Sequence, residues 1–416
     1  MWELISANKR NSIILMVLMA ATLLILGYVI GAAYAGEHAG FIGLIVAAVI
    51  WFILAMVSLS SGDQILLNAS NARQITHADH PQLFNIVEEM KIAAGLPVIP
   101  KIYIIPDPAP NAFATGRNPQ SASVAVTAGL LGRLNRDELQ GVIAHEMSHI
   151  LHRDILYVTV AGIMLGSIVL MSQLFLRSTF YGSMGSRRRF SSGGKGSGQA
   201  MLVMLVIALI AAVLAPIMAQ LLYFALSRKR EYLADAGSAR LTRYPEGLAS
   251  ALEKIAGDTS PQLAAANTVT APMYIVNPFK KAAGMSLSDL TSTHPPISER
   301  IKILRSMGSG VSFKDYSDSF TQVTHRKTIV PPAALTKEDI ALRQAGEEAK
   351  DKLRRENQMR QVGDIMRKVN QFVFLTCLCG LVLKIPPNYK SDKVQCPRCK
   401  RILPLNKNEA VTEPRT

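Results

Sequence analysis

Cysteine is missing from the first 376 residues of this 416-residue chain. A secreted fold stapled by disulfides would scatter its cysteines, so this absence excludes that class and points to a reducing compartment. Aromatic residues are scarce at 6%, although 49% of the chain is hydrophobic. The apolar excess is Leu, Ile, Val, Ala and Met, gathered into long runs that lack any Asp, Glu, Lys or Arg. Such runs have the composition of lipid-facing helices. No RNA-binding motif and no aromatic–basic stripe that could stack bases is present. The net charge of +15 therefore points to an anionic membrane leaflet, with no nucleic-acid partner expected.

Four runs, 12–35, 41–59, 155–175 and 201–226, approach the ~20 residues that carry a helix across a bilayer. Lys9 and Arg10 precede the first run, and Ala33-Tyr34-Ala35 has the small-x-small form of a signal-cleavage site. The run is longer than the ~7–15 residues of a signal core, and the second run follows at once. An uncleaved hairpin over 1–61 is expected. Lys9, Arg10, Arg153 and Arg228-Lys229-Arg230 would all fall on one side, read as cytoplasmic. Arg177, Arg187, Arg188, Arg189 and Lys195 oppose that reading, because they lie between the third and fourth runs. Either the charge rule is broken there, or these two runs do not fully cross.

A soluble segment over 62–154 separates the second run from the third, and a second soluble segment covers 227–335. In the first, His80-Pro81 opens an amphipathic helix through Ala94, and 101–105, 111–116 and 121–127 read as strands. Asn135 caps a helix starting near Arg136, with Glu138 in its first turn. After the fourth run, 228–257 reads as helix with a break at Tyr244-Pro245, and 299–307 as a further helix. A charged helical connector is expected over 336–370, a cysteine module over 371–405 and a polar tail over 406–416.

The helix that Asn135 caps carries His145-Glu146-Met147-Ser148-His149. Positions i and i+4 share a helix face, so His145 and His149 can bind one Zn2+ at ~2.0–2.1 Å. Glu146 is offset by one residue and can take a proton from a zinc-bound water whose pKa the metal lowers to near 7. The bland alternative is a helix with two surface histidines, against which the flanking Gly141-Val142-Ile143-Ala144 argues for burial. A catalytic zinc needs a third protein ligand. His152 lies about 10 Å along the axis from His145 at ~1.5 Å per residue, so one ion cannot bridge all three histidines. His152 is expected instead as a helix-end histidine favoured by the negative end of the helix dipole. Glu231 is the better third ligand, with Asp235 one turn on to orient a histidine. On spacing alone, both could simply pair with nearby Arg and Lys.

Four stretches resemble the HtpX family of membrane zinc endopeptidases, relatives of the CAAX prenyl protease. They are Asn111-Ala112-Phe113-Ala114-Thr115-Gly116, Ala144-His145-Glu146-Met147-Ser148-His149, Ser227-Arg228-Lys229-Arg230-Glu231-Tyr232-Leu233-Ala234-Asp235 and Ser292-Thr293-His294-Pro295-Pro296-Ile297-Ser298-Glu299-Arg300. The likeness covers roughly 1–307. It implies Glu231 as third ligand with Asp235 behind it, His294 stabilising the oxyanion, Arg300 paired with the acidic ligand shell, and Asn111 on the substrate backbone. It also implies that the strand over 121–126 is the edge to which a substrate peptide adds.

Cys377-Leu378-Cys379-Gly380 and Cys396-Pro397-Arg398-Cys399 can close a four-thiolate site at ~2.3 Å with no open position, so a structural zinc is expected. The expected fold is a mainly α membrane protein with four transmembrane helices, an α+β zincin-type (HExxH) protease domain and a small zinc ribbon. The expected activity is a zinc metalloendopeptidase of the inner membrane, acting on misfolded membrane proteins at the cytoplasmic surface of the bilayer. A narrow processing peptidase and a non-enzymatic scaffold are the alternatives. The intact Glu146 argues against the scaffold.

Overall fold

The computed structural model describes residues 2–35, 37–182, 197–258, 295–308, 310–328, 340–344, 362–364 and 372–405, with single positions between. The apolar runs form long helices, α1 (Trp2–Ala35), α2 (Glu37–Ala69), α6 (Ile155–Gly182) and α7 (Ser197–Thr242). Within them, Ser12–Ala33, His38–Ala69 and Leu202–Leu221 are long and apolar enough to cross a membrane. The α1–α2 hairpin is close because its contact is made of small residues. A side chain on Gly27 would come within 2.5 Å of Ala47 Cβ and 2.8 Å of the Gly43 carbonyl. Leu15, Met19 and Leu23 of α1 share one buried cluster with Val160, Met164 and Ile168 of α6 and Ala208 and Ala212 of α7. Ile25, Phe52, Leu170 and Leu214 face outward, which is the inverted arrangement of a bundle in lipid. α7 runs 46 residues unbroken through Pro216. The chain bearing Glu231 is thus a direct continuation of a membrane-length helix.

The rest of the same unit holds a four-stranded sheet: β1 (Arg73–Gln74), β2 (Lys101–Ile105), β3 (Ala112–Thr115) and β4 (Ser123–Thr127), in the order β1-β2-β4-β3. β2 and β4 run parallel, with Ile102 opposite Val124, and β3 returns antiparallel with Ala114 opposite Val124. The strand expected as the free edge is therefore interior, and β1 and β3 are the edges. The reversal after β3 explains this. Asn118 accepts the Gln120 and Ser121 amides into a 3₁₀ turn over Pro119–Ser121 and folds β4 back onto β3. That turn also delays the strand to Ser123.

Helices α3 (Pro81–Ala94), α4 (Ala128–Arg133), α5 (Arg136–Leu151), α8 (Pro245–Ala256), α9 (Ile297–Ser306) and α10 (Phe313–Thr324) complete the unit. α5 starts at Asn135 because a capping box closes there, with Asn135 Oδ1 accepting the Glu138 amide and Glu138 accepting the Asn135 amide. Lys254 of α8 donates to the same Glu138 carboxylate. α10 was not expected, although Ser312 and Asp315 form its capping box. Most of the expected connector lies outside the described residues. Arg343, within it, is not merely solvated, since it pairs with Asp137 at 2.8 Å.

A second compact unit spans 347–416. Its strands are β5 (Val373–Thr376) paired with β6 (Val382–Ile385), and β7 (Lys393–Gln395) paired with β8 (Ile402–Pro404). Among its described residues, Ile385, Val394 and Leu405 form the buried hydrophobic cluster. A core that small needs a metal or another staple to hold it. The polar tail over 406–416 lies outside the described residues.

Candidate metal centre

α5 and α7 pack face to face, and Gly237 sets how closely they approach. A Cβ there would collide with Ser148 Oγ. This closeness brings three donors together. His145 Nε2 and His149 Nε2 are 3.3 Å apart, and Glu231 lies 3.6 and 3.5 Å from them. Donors held at about 2.0–2.1 Å by one tetrahedral ion stand roughly 3.3–3.4 Å from one another. Imidazole and carboxylate donors in that spacing fit zinc.

Each histidine is held from behind. His145 Nδ1 lies 3.0 Å from Asp235 Oδ1, and His149 Nδ1 lies 3.3 Å from Asp154 Oδ2. A carboxylate on the far nitrogen fixes the tautomer and turns Nε2 toward the metal. Arg300 donates to Asp235 from Nε and Nη2 at 2.8 and 2.7 Å and lies 3.4 Å from Glu231. Against the cost of burial, Arg300 and His145 hold the Asp235 carboxyl below its ordinary value. Burial also opposes charge on His149, yet Asp154 and Glu231 push it up to about 10. Burial pushes Glu146 up, opposed by the charges of His145 and His149 and by a hydrogen bond with the Ala114 backbone of β3.

The site thus gathers His145, Glu146, His149, Glu231, Asp235 and Arg300 within one buried region. Asn111 is buried at the start of β3, where its amide donates to Thr127 Oγ1 and its side chain accepts from Ala112. His294 lies outside the described residues. Asp154 was missed. It is reached because the chain breaks between α5 and α6. The chain reverses at Arg153 (φ 58°), and the Asp154 amide returns to the His149 carbonyl at 2.9 Å. An aspartate standing alone between the motif and an apolar run was the available signal. His152 does cap α5, but it is buried, and burial lowers it to about 4. It stays neutral, so the helix-dipole interaction expected of a charged histidine is absent.

In the second unit, Cys377 Sγ is 3.4 Å from Cys399 Sγ, and Cys379 Sγ is 3.6 Å from Cys396 Sγ. Thiolates held at ~2.3 Å around one tetrahedral ion stand roughly 3.8 Å apart, so the quartet fits a metal within a few tenths of an ångström. Cys377 and Cys379 have only Leu378 between them, and the turn after them is made by Gly380 at φ 82°. Backbone hydrogen bonds from Cys399 and Arg398 bring the Cys396 thiol down to about 6, while burial and the neighbouring thiols push Cys377 up to about 11.

An HExxH helix facing a glutamate from a membrane-length helix defines a membrane metallopeptidase. The chain belongs to Peptidase family M48, whose family model matches residues 77–308. It is 47% identical over 307 residues to a Protease HtpX homolog of Dictyoglomus thermophilum, covering 74% of this chain and 95% of that protein. It is 41% identical over 308 residues to a Protease HtpX homolog of Streptococcus gordonii, covering 74% of this chain and all of that protein. Among solved structures it is similar to S. mikatae Ste24p, at 20% identity and a TM-score of 0.34, covering 72% of this chain and 66% of that one.

Proposed function

We propose that the chain is a zinc endopeptidase that removes damaged or misfolded membrane proteins at the cytoplasmic surface of the inner membrane. Its ion would be held by His145, His149 and Glu231. The observation that carries this is the mutual spacing of those three donors, 3.3 to 3.6 Å. Zinc, when bound, supplies Lewis acidity toward a peptide carbonyl and acidifies water.

The chain's own residues do the rest. Glu146 takes the proton of the attacking water and later gives it to the leaving amine, and its raised pKa suits both roles. The substrate adds as an antiparallel strand beside β3, with Asn111 on its backbone. Ala114 of β3 then sets the cleaved bond beside Glu146, since its backbone already meets that carboxylate. His294 donates to the oxyanion, the role implied by the resemblance. It precedes Arg300 by six residues, and Arg300 is fixed at Asp235.

We read α1, α2, α6 and α7 as four spans, because α6 shares the buried cluster of α1 and α7. Glu231 follows the apolar stretch ending at Leu221 by ten residues on one unbroken helix, about 15 Å at helical rise. That distance supports a site close to the bilayer and membrane-protein substrates. The four-cysteine unit would hold a second, structural zinc.

Membrane proteomes of cells carrying the enzyme or its Glu146→Gln form test the substrate class. Many membrane proteins accumulating with Glu146→Gln support quality control. One or two indicate narrow processing. Accumulation of soluble proteins alone removes the membrane-surface assignment.

A further inference from the structure

We propose that the first membrane helix is part of the zinc scaffold, and that Ser12 and Arg230 are positioning residues which set His149 through Asp154. The inference rests on His149 being a metal ligand. Arg230 of α7 donates from Nη2 to Ser12 Oγ on α1. Its Nε lies 3.6 Å from Asp154 Oδ1, and Asp154 Oδ2 lies 3.3 Å from His149 Nδ1. Ser12 and Asp154 are 0% exposed and Arg230 5%. Ser12 is also the first residue of the span Ser12–Ala33. A relay of three polar contacts therefore joins the end of a membrane helix to a zinc ligand.

The chemistry gives each member a task. His149 must carry its proton on Nδ1 for Nε2 to face the metal, and Asp154 Oδ2 is the acceptor that lies there. A carboxylate this deeply buried needs a cation, and Arg230 is beside it. A guanidinium has donors to serve two acceptors at once in a fixed plane, so Ser12 limits how Arg230 can turn. Arg230 immediately precedes Glu231 on α7. One anchor on α1 thus bears on two of the three ligands. His145 is held separately, by Asp235 and Arg300.

The test uses the full-length protein in nanodiscs, stripped of metal. Zinc affinity is read by competition, and the site geometry by the Co2+ d–d bands. The cysteine site is distinguished by its thiolate-to-metal charge transfer. Arg230→Ala is expected to weaken zinc binding about 10- to 100-fold and to shift the d–d bands. Ser12→Ala should act in the same direction by less. The double variant should be no weaker than Arg230→Ala alone, because the serine acts through the arginine. Unchanged affinity and bands in both single variants overturn the proposal, as does strict additivity. If Arg230→Ala does not fold, Ser12→Ala and Asp154→Asn read the same relay, and wild-type values in both overturn it. His149→Ala separates the two levels. If it keeps full affinity at this site, the ligand assignment fails. If it loses zinc while Arg230→Ala does not, only the relay fails.

Discussion

Arg300 grips both carboxylate oxygens of Asp235, at 2.7 and 2.8 Å, and solvent reaches neither side chain. Removing one member of such a pair strands the other as a buried charge, at about 3–5 kcal/mol. Arg300→Met should therefore lower the unfolding temperature of the full-length protein markedly in a thermal scan. Arg300→Lys should recover only part, because an ammonium cannot bond both oxygens in one plane. A wild-type transition for Arg300→Met would mean that the pair does not hold this region.

Gly237 controls the approach of α5 to α7. Gly237→Val places branched carbons against Ser148, and overpacking of this kind costs about 1–3 kcal/mol. The helices that separate carry His145 and His149 on one side and Glu231 on the other. Zinc affinity should fall together with stability, measured by metal competition on the stripped protein. Loss of stability with unchanged zinc affinity would show that the three donors do not depend on this contact.

These relationships differ in how far they can be read from sequence. α5 was legible because its cap is local: Asn135 and Glu138 satisfy each other three residues apart. α10 has an equally local signal in the capping box of Ser312 and Asp315. Glu231 was ambiguous, since its partners come from a helix about 80 residues away, and only the family likeness singled it out. Asp154 depends on a left-handed turn at Arg153, a conformation that an arginine does not advertise. The edge strand was misplaced because strand order follows from tertiary closure. Alternation along β4 cannot show that β2 and β3 cover both its sides.

Zinc affinity should rise with pH. In the metal-free protein His149 is raised from 6.5 to about 10, and zinc takes only the neutral imidazole. A proton must leave for each ion bound, until the pH passes about 10. The logarithm of apparent affinity should climb by at least about one unit per pH unit between neutrality and that value. The same shift stabilises the metal-free fold. That stability is fully present below 6.5 and is lost as pH rises through about 10. Competition titrations at several pH values check the slope, and a flat profile contradicts it.

The two metal sites should be separable. Cys396→Ser removes one thiolate from the quartet, so metal per chain should fall from two to one with peptidase activity retained. His145→Ala should remove the other metal and the activity. Elemental analysis of both variants decides, and loss of both metals from either one would contradict independent sites.

The central claim is that Glu146 works as the base beside a zinc held by His145, His149 and Glu231. Glu146→Gln tests it most directly, with zinc content and cleavage of a reconstituted membrane substrate measured on the same preparation. Zinc content equal to wild type is expected, with cleavage at least about 100-fold slower. Cleavage at the wild-type rate with that content would contradict the claim.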